Sequence, residues 1–180
     1  QYFEDSPFKN LKGKFTGNSN YNGNIAFDKR FKKMFMASSH NSTLKFEKVQ
    51  FNYNNFPLQF TINYTDCNFK NNKVLFSNFE LTIAESDLVF DGETSNLIEY
   101  IIGEKDKIDI NGDIKSTYTN LEQLITLGDI SEDESSTFFP NWIQANINTK
   151  TENLSYDNFI ATNLSGNIQY NNGTIKGFNM

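Results

Sequence analysis

One spacing constrains what this chain can fold into more than any single residue does: apolar–x–apolar–x–x–apolar–x–apolar. It occurs at Leu44-Lys-Phe46-Glu-Lys-Val49-Gln-Phe51, at Val74-Leu-Phe76-Ser-Asn-Phe79-Glu-Leu81 and at Leu154-Ser-Tyr156-Asp-Asn-Phe159-Ile-Ala161. Alternation at period two is a strand with one dry face and one wet face. The extra residue in the middle shifts that alternation by one. A continuous strand absorbs the shift only with a bulge or kink that returns the apolar side chains to the same face. Otherwise two short strands must meet there at a tight turn. Three copies point to a repeated β unit stacked edge to edge.

The remaining pattern extends this reading. Leu58-Gln-Phe60-Thr-Ile62-Asn-Tyr64 alternates strictly, after Pro57. Asn71-Asn72 and Asn171-Asn-Gly173 are hairpin signals. Leu88 and Phe90 form a short strand ending at Asp91-Gly92, and Lys107–Ile114 and Ile143–Ile147 form two more. Two short helices are predicted between strand runs. One spans 94–102, capped by Thr94 or Ser95 and stopped by Gly103; the other spans 119–127, with Thr119-Asn-Leu-Glu122 as a capping box. A third is expected at 28–35, where Phe27, Phe31, Met34 and Phe35 share one helical face. Asp129–Thr137 is acidic and Ser-rich and reads as a mobile loop. Residues 1–20 hold turn formers and at most a short strand at Lys14–Thr16; a strand at Asn22–Phe27 and a loop at Ser38–Ser42 follow. The predicted fold is mainly β: repeated antiparallel strands in a curved or groove-shaped sheet with two or three short helices. Residues 1–43 form a poorly assigned N-terminal part, and 44–180 the repeated β region.

The 180 residues suit one domain or one and a half. A hydrophobic share of 37% is lean, but 18 Phe and 8 Tyr supply large buried areas. No stretch reaches the roughly 18–20 apolar residues that span a bilayer. Residues 1–80 carry 11 Lys+Arg against 6 Asp+Glu, and residues 81–180 carry 5 against 16. That asymmetry reads first as solvated strand faces and second as a field that steers a partner. Gln1 and the strand-like end at Thr174–Met180 are those expected of a segment of a longer protein.

Catalysis needs convergent groups that attack or exchange protons. Cys67 and His40 are each the only one of their kind. Cys67 is expected to be a small buried hydrophobe and His40 a solvated loop residue. Asp106, Asp109 and Asp113 lack the closing Glu of a calcium loop and alternate with isoleucines, so they read as a solvent-facing strand side. Trp142 is expected to plug the core at a strand start. Five N-x-[ST] sequons are expected by chance in a chain so rich in Asn, Ser and Thr. The sequence therefore nominates no catalytic, metal-binding or cofactor-binding residue, no enzymatic activity and no nucleic-acid partner.

The order of elements from Asp87-Leu-Val-Phe-Asp-Gly through the two Asn-Leu helices, Phe139-Pro-Asn-Trp and Leu154–Ile168 resembles the C-terminal region of AsmA-like proteins, relatives of TamB in Gram-negative envelopes. The Asn and Phe bias suits a member from the Bacteroidota. The resemblance covers about residues 44–180. It implies a periplasmic β-groove, an inner-membrane anchor elsewhere in the protein, bound acyl-chain lipid such as phospholipid, envelope protein partners and a role in lipid transport and outer-membrane homeostasis. Lipid-facing candidates are Phe46, Phe60, Ile62, Phe76, Leu81 and Phe90. Lys29, Arg30, Lys32 and Lys33 are candidates for a membrane surface, or for the outer face of a helix capping the sheet. The competing reading is a β-sandwich adhesion module binding glycan or protein through exposed tyrosines such as Tyr53, Tyr64 and Tyr170. Residues alone leave open whether the apolar face covers itself, a partner or lipid.

Overall fold

Two-residue turns set the order of the strands. Asn71-Asn72, Ala84-Glu85, Asp157-Asn158 and Asn172-Gly173 each join two antiparallel strands, and the first residue of each turn has positive φ. Such turns match the right-handed twist of the strands they connect. The computed structural model describes residues 8–24, 34, 39–53, 58–101, 103–125 and 142–178. Among them, nine strands form a single sheet in sequence order. They are β1 Phe8–Asn22, β2 Ser39–Tyr53, β3 Phe60–Lys70, β4 Lys73–Ile83, β5 Ser86–Ser95, β6 Ile108–Asn120, β7 Ile143–Tyr156, β8 Phe159–Asn171 and β9 Thr174–Phe178. All neighbours are antiparallel except β6 and β7, which are parallel. A parallel pair needs a long crossover, and the chain between Asn120 and Ile143 provides it.

Among the described residues, helix occurs at α1 Leu97–Ile101 and α2 Leu121–Ile125. Both fall inside the predicted spans and begin later than expected, at Leu97 and Leu121. Thr94 and Ser95 stay in β5, paired with Ile110 and Asp109. Asn96, at φ 64°, makes the break before α1. At α2 the cap is Asn120, not Thr119: its side-chain oxygen accepts from the Gln123 backbone N–H at 3.1 Å. Thr119 is buried in β6 and bonds Ser116 instead. The predicted helix at 28–35 and the acidic run 129–137 lie outside the described residues, apart from Met34.

All three spacing motifs break where the extra residue demands. Lys48 (φ 52°) interrupts β2 between Phe46 and Val49. Asn78 (φ 51°) bulges β4 between Phe76 and Phe79, where the β4–β5 register slips by one. In the third copy Asp157 (φ 51°) opens the β7–β8 turn. The Asn78 bulge is held by Asp91 on β5, whose carboxylate accepts the Asn78 backbone N–H at 2.8 Å. Further positive-φ residues stand inside strands at Asn10, Gly13 and Asn163. Most of these are Asn or Gly, the residues that enter this region at least cost. Each bulge bends its strand.

The N-terminal part departs most from expectation. The tract read as turns and loop pairs as a long β1–β2 hairpin, so the residue-43 boundary falls within β2 and the sheet continues across it. Its polar residues find each other in register: the Ser19 and Ser42 hydroxyls are 2.7 Å apart. Ladder pairing here overrides local turn preference. His40 is consequently not a solvated loop residue. It is buried in β2 and stacks on Tyr21 with ring centroids 5.6 Å apart. Likewise β5 does not end at Asp91-Gly92. Gly92 pairs with Gly112, and a Cβ on either would collide with the Phe90 ring, which lies over both.

Replacing Asn78 by Val should destabilise the protein by about 1–2 kcal/mol, the cost of left-handed backbone for a residue with a Cβ. Asn78→Gly should leave stability nearly unchanged. Urea denaturation of the two variants checks this, and equal losses would mean that the bulge does not depend on its backbone conformation.

Candidate functional site

Residues opposed across a ladder share a face, and so do alternate residues of a regular strand. Followed through the registers, this gathers the apolar side chains on one side of the sheet. Leu44 opposes Cys67, and Cys67 opposes Phe76. Phe51 opposes Phe60 with rings stacked at 5.1 Å, and Phe60 opposes Ile83. Val49 opposes Ile62, Ile62 opposes Leu81, and Leu81 opposes Leu88. Phe90 faces Phe79 across the bulge and lies 5.8 Å from Phe76. Ile110 and Ile114 on β6, Ala145 and Ile147 on β7, and Ile168 and Tyr170 on β8 continue the series.

All six lipid-facing candidates, Phe46, Phe60, Ile62, Phe76, Leu81 and Phe90, therefore lie on this one face, and all are half-buried. The same logic adds residues beyond the six candidates. Phe15 on β1, within the tract expected to hold at most a short strand, opposes Phe46 at a ring distance of 6.4 Å. Phe79, Leu88 and Ile114 complete the centre. Eight steps between nine strands at about 4.8 Å each give an apolar strip ~38 Å long. The basic candidates Lys29, Arg30, Lys32 and Lys33 lie outside the described residues.

Among the described residues, two short helices lie at the ends of the strands. At one end α1 approaches β4 and β6, and Val74, Thr94 and Ile108 are buried there. At the other, α2 approaches β7, and Ile83, Ser86, Ser116 and Thr151 are buried. Between them the aromatic centre is half-exposed. Cys67 is buried, as expected, and desolvation pushes its thiol above its ordinary value. Trp142 is not a core plug: it is partly exposed and stacks on Tyr100 of α1 at 5.3 Å.

The opposite face is polar and self-paired. Lys14 bonds Glu47 at 2.8 Å, Lys45 lies 3.3 Å from Asp66, and Lys73 bonds Glu93 at 2.7 Å. Asp109 and Asp113 lie here, where Asn96 and Asn148 donate to them; Asp106 precedes β6. Asn167 donates to both Asn146 and Asn148. A depression of about 430 Å³ follows the line of backbone breaks, lined by Gly13, Lys14, Glu47, Lys48 and Asn63. Among the described residues, no cluster of His, Cys, Asp or Glu could hold a metal ion, and no helix is long and apolar enough to cross a membrane.

The tyrosines proposed for an adhesion surface do not form a row. Tyr170 is buried on the apolar face, while Tyr64 donates to Asp66 at 2.6 Å on the polar face; Tyr53's side chain lies outside the description. The described strands form one sheet, with no second sheet for a sandwich core.

Asp87 fixes the α2 end. Its carboxylate accepts the Tyr118 backbone N–H at 2.7 Å, the Thr117 N–H at 3.1 Å and the Ser116 hydroxyl at 3.2 Å. The neighbouring Ser86 hydroxyl accepts the Asn120 N–H at 2.9 Å. No protein-family model, curated protein or solved structure matches this chain.

Partial burial pushes the Asp87 carboxyl up, but the Tyr118 and Thr117 backbone donors, with the Thr117 and Ser116 side chains, outweigh it and hold the carboxyl below its ordinary value. A depressed carboxyl contributes stability above its unfolded-state pKa and loses it as pH falls through the folded value. Thermal melts from pH 6 downward should therefore show an acid-side fall below about pH 4 that is shallower in Asp87→Asn. Parallel pH profiles would assign the fall to other carboxylates.

Proposed function

We propose that this chain is a non-enzymatic lipid-handling segment of a periplasmic cell-envelope protein of the AsmA type, with its sheet curved into a groove that holds acyl chains. The observation that carries the reading is the apolar strip, followed from strand to strand across the sheet, with a half-exposed aromatic centre. Soluble proteins rarely leave so large a contiguous apolar face even half-exposed. Acyl chains laid along it would each remove apolar surface from water, at about 0.8 kcal/mol per buried CH₂. The mechanism needs no reacting group: the strip replaces water around the chains, and head groups stay at the edges where the helices sit. The bulges support the curvature, since each bends its strand at a point where neighbouring strands also break.

Mass spectrometry of lipid extracted from the purified protein tests this. Phospholipid above the level carried by a β-sandwich control of similar size is the expected result; its absence after incubation with vesicles would refute the reading. Phe60→Asp places an unpaired charge on the strip and should cost on the order of 3 kcal/mol or abolish lipid uptake. Gln59→Asp, one residue away and exposed, should cost little. Equal damage from both would contradict the face assignment.

A further inference from the structure

We propose that Glu99, with Asn72 and Thr94, forms a head-group site at the α1 end of the strip that takes a primary ammonium, as carried by an ethanolamine phospholipid. The proposal rests on the lipid reading above and names the part of the lipid that the strip leaves unassigned. Glu99 is 8% exposed. One carboxylate oxygen accepts from the Asn72 side chain at 2.5 Å, while the other is buried without a hydrogen-bond partner. Thr94 is 7% exposed, and its hydroxyl is also unpartnered.

The three residues lie toward the same end of the sheet. Asn72 lies in the β3–β4 turn, two residues before Val74, and Val74 directly opposes Thr94. Glu99 stands on α1, which approaches both strands flanking β5. Among the described residues no lysine or arginine pairs with Glu99; the ion pairs are those of Lys14, Lys45 and Lys73. A buried carboxylate without a cation is costly, and the cost disappears when a cation with enough donors arrives.

The missing donors define the ligand. A primary ammonium carries a positive charge and three N–H groups, enough for the free Glu99 oxygen and the Thr94 hydroxyl. A choline head group has the charge but no N–H, and glycerol has hydroxyls but no charge. Admission requires α1 to shift. The helix is short, held by the Tyr100 N–H to Asn96 carbonyl bond of 2.8 Å, the Glu104 N–H to Glu99 carbonyl bond of 2.7 Å and the Tyr100–Trp142 stack, and a helix of this length is marginal by itself.

The test incubates the full chain with vesicles containing equal phosphatidylethanolamine, phosphatidylglycerol and phosphatidylcholine of identical acyl composition. The protein is re-isolated and its lipid quantified by mass spectrometry. Wild type should enrich phosphatidylethanolamine ~10-fold over phosphatidylcholine, equivalent to about 1.4 kcal/mol. Glu99→Gln should bring the three lipids to parity with total lipid unchanged. Thr94→Val, near-isosteric, should lower the enrichment and decides the matter if Glu99→Gln fails to fold by circular dichroism. Bound lipid without enrichment in wild type, or enrichment that survives substitution, overturns the head-group site and leaves the lipid reading standing. No bound lipid at all overturns both.

Discussion

Every apolar contact along the strip depends on a local correction to strand alternation. A strand that carries an extra residue turns all later side chains to the wrong face. Here the correction is a residue in the left-handed region: Lys48 in β2, Asn78 in β4. Without the break at Lys48, Val49 and Phe51 would sit opposite to Leu44 and Phe46. Without the one at Asn78, Phe79 and Leu81 would leave Phe76, and Phe90 would have nothing to bridge. The Asp91 carboxylate on the Asn78 N–H shows how the neighbouring strand supports the bulge.

From that constraint the two-sided character of the sheet follows. One face collects Phe, Ile, Leu and Val from the described strands. The other collects Asn, Asp, Glu and Lys, paired strand to strand through amides and ion pairs. Exposed ion pairs of this kind add little stability each. Their contribution is to keep the polar face satisfied in water, so that the apolar face is the one left to be covered. Among the described residues, the two short helices lie at its ends. Each sits where buried polar groups gather: Thr94 and Glu99 at one end, Ser86, Ser116 and Thr151 at the other.

The cross-strand glycine pair shows the same economy of shape at the centre. Gly92 and Gly112 oppose each other and admit the Phe90 ring, which fills the space a Cβ on either would take. The ring covers backbone that would otherwise face water, a known way of stabilising glycine within a sheet. Leu44 does the same for Gly17 on the β1–β2 hairpin.

Much of this was legible in the chain. Period-two alternation with one extra residue located the breaks in all three motif copies, and it placed Phe46, Phe60, Ile62, Phe76, Leu81 and Phe90 on one face, because spacing alone dictates side-chain direction in a strand. The Asn-Asn and Asn-Gly turns were equally plain, since few residues accept positive φ. What the sequence did not contain was the partner of each strand. The tract Asn18-Ser-Asn20 prefers turns when read by itself and became strand only because β2 offered Ser42 and its neighbours in register. His40 became buried for the same reason, beneath Tyr21. The parallel pairing of β6 with β7, the late starts of the two helices and the unpartnered oxygens of Glu99 and Thr94 arise from contacts between residues far apart in the chain, and only the tertiary structure decides those.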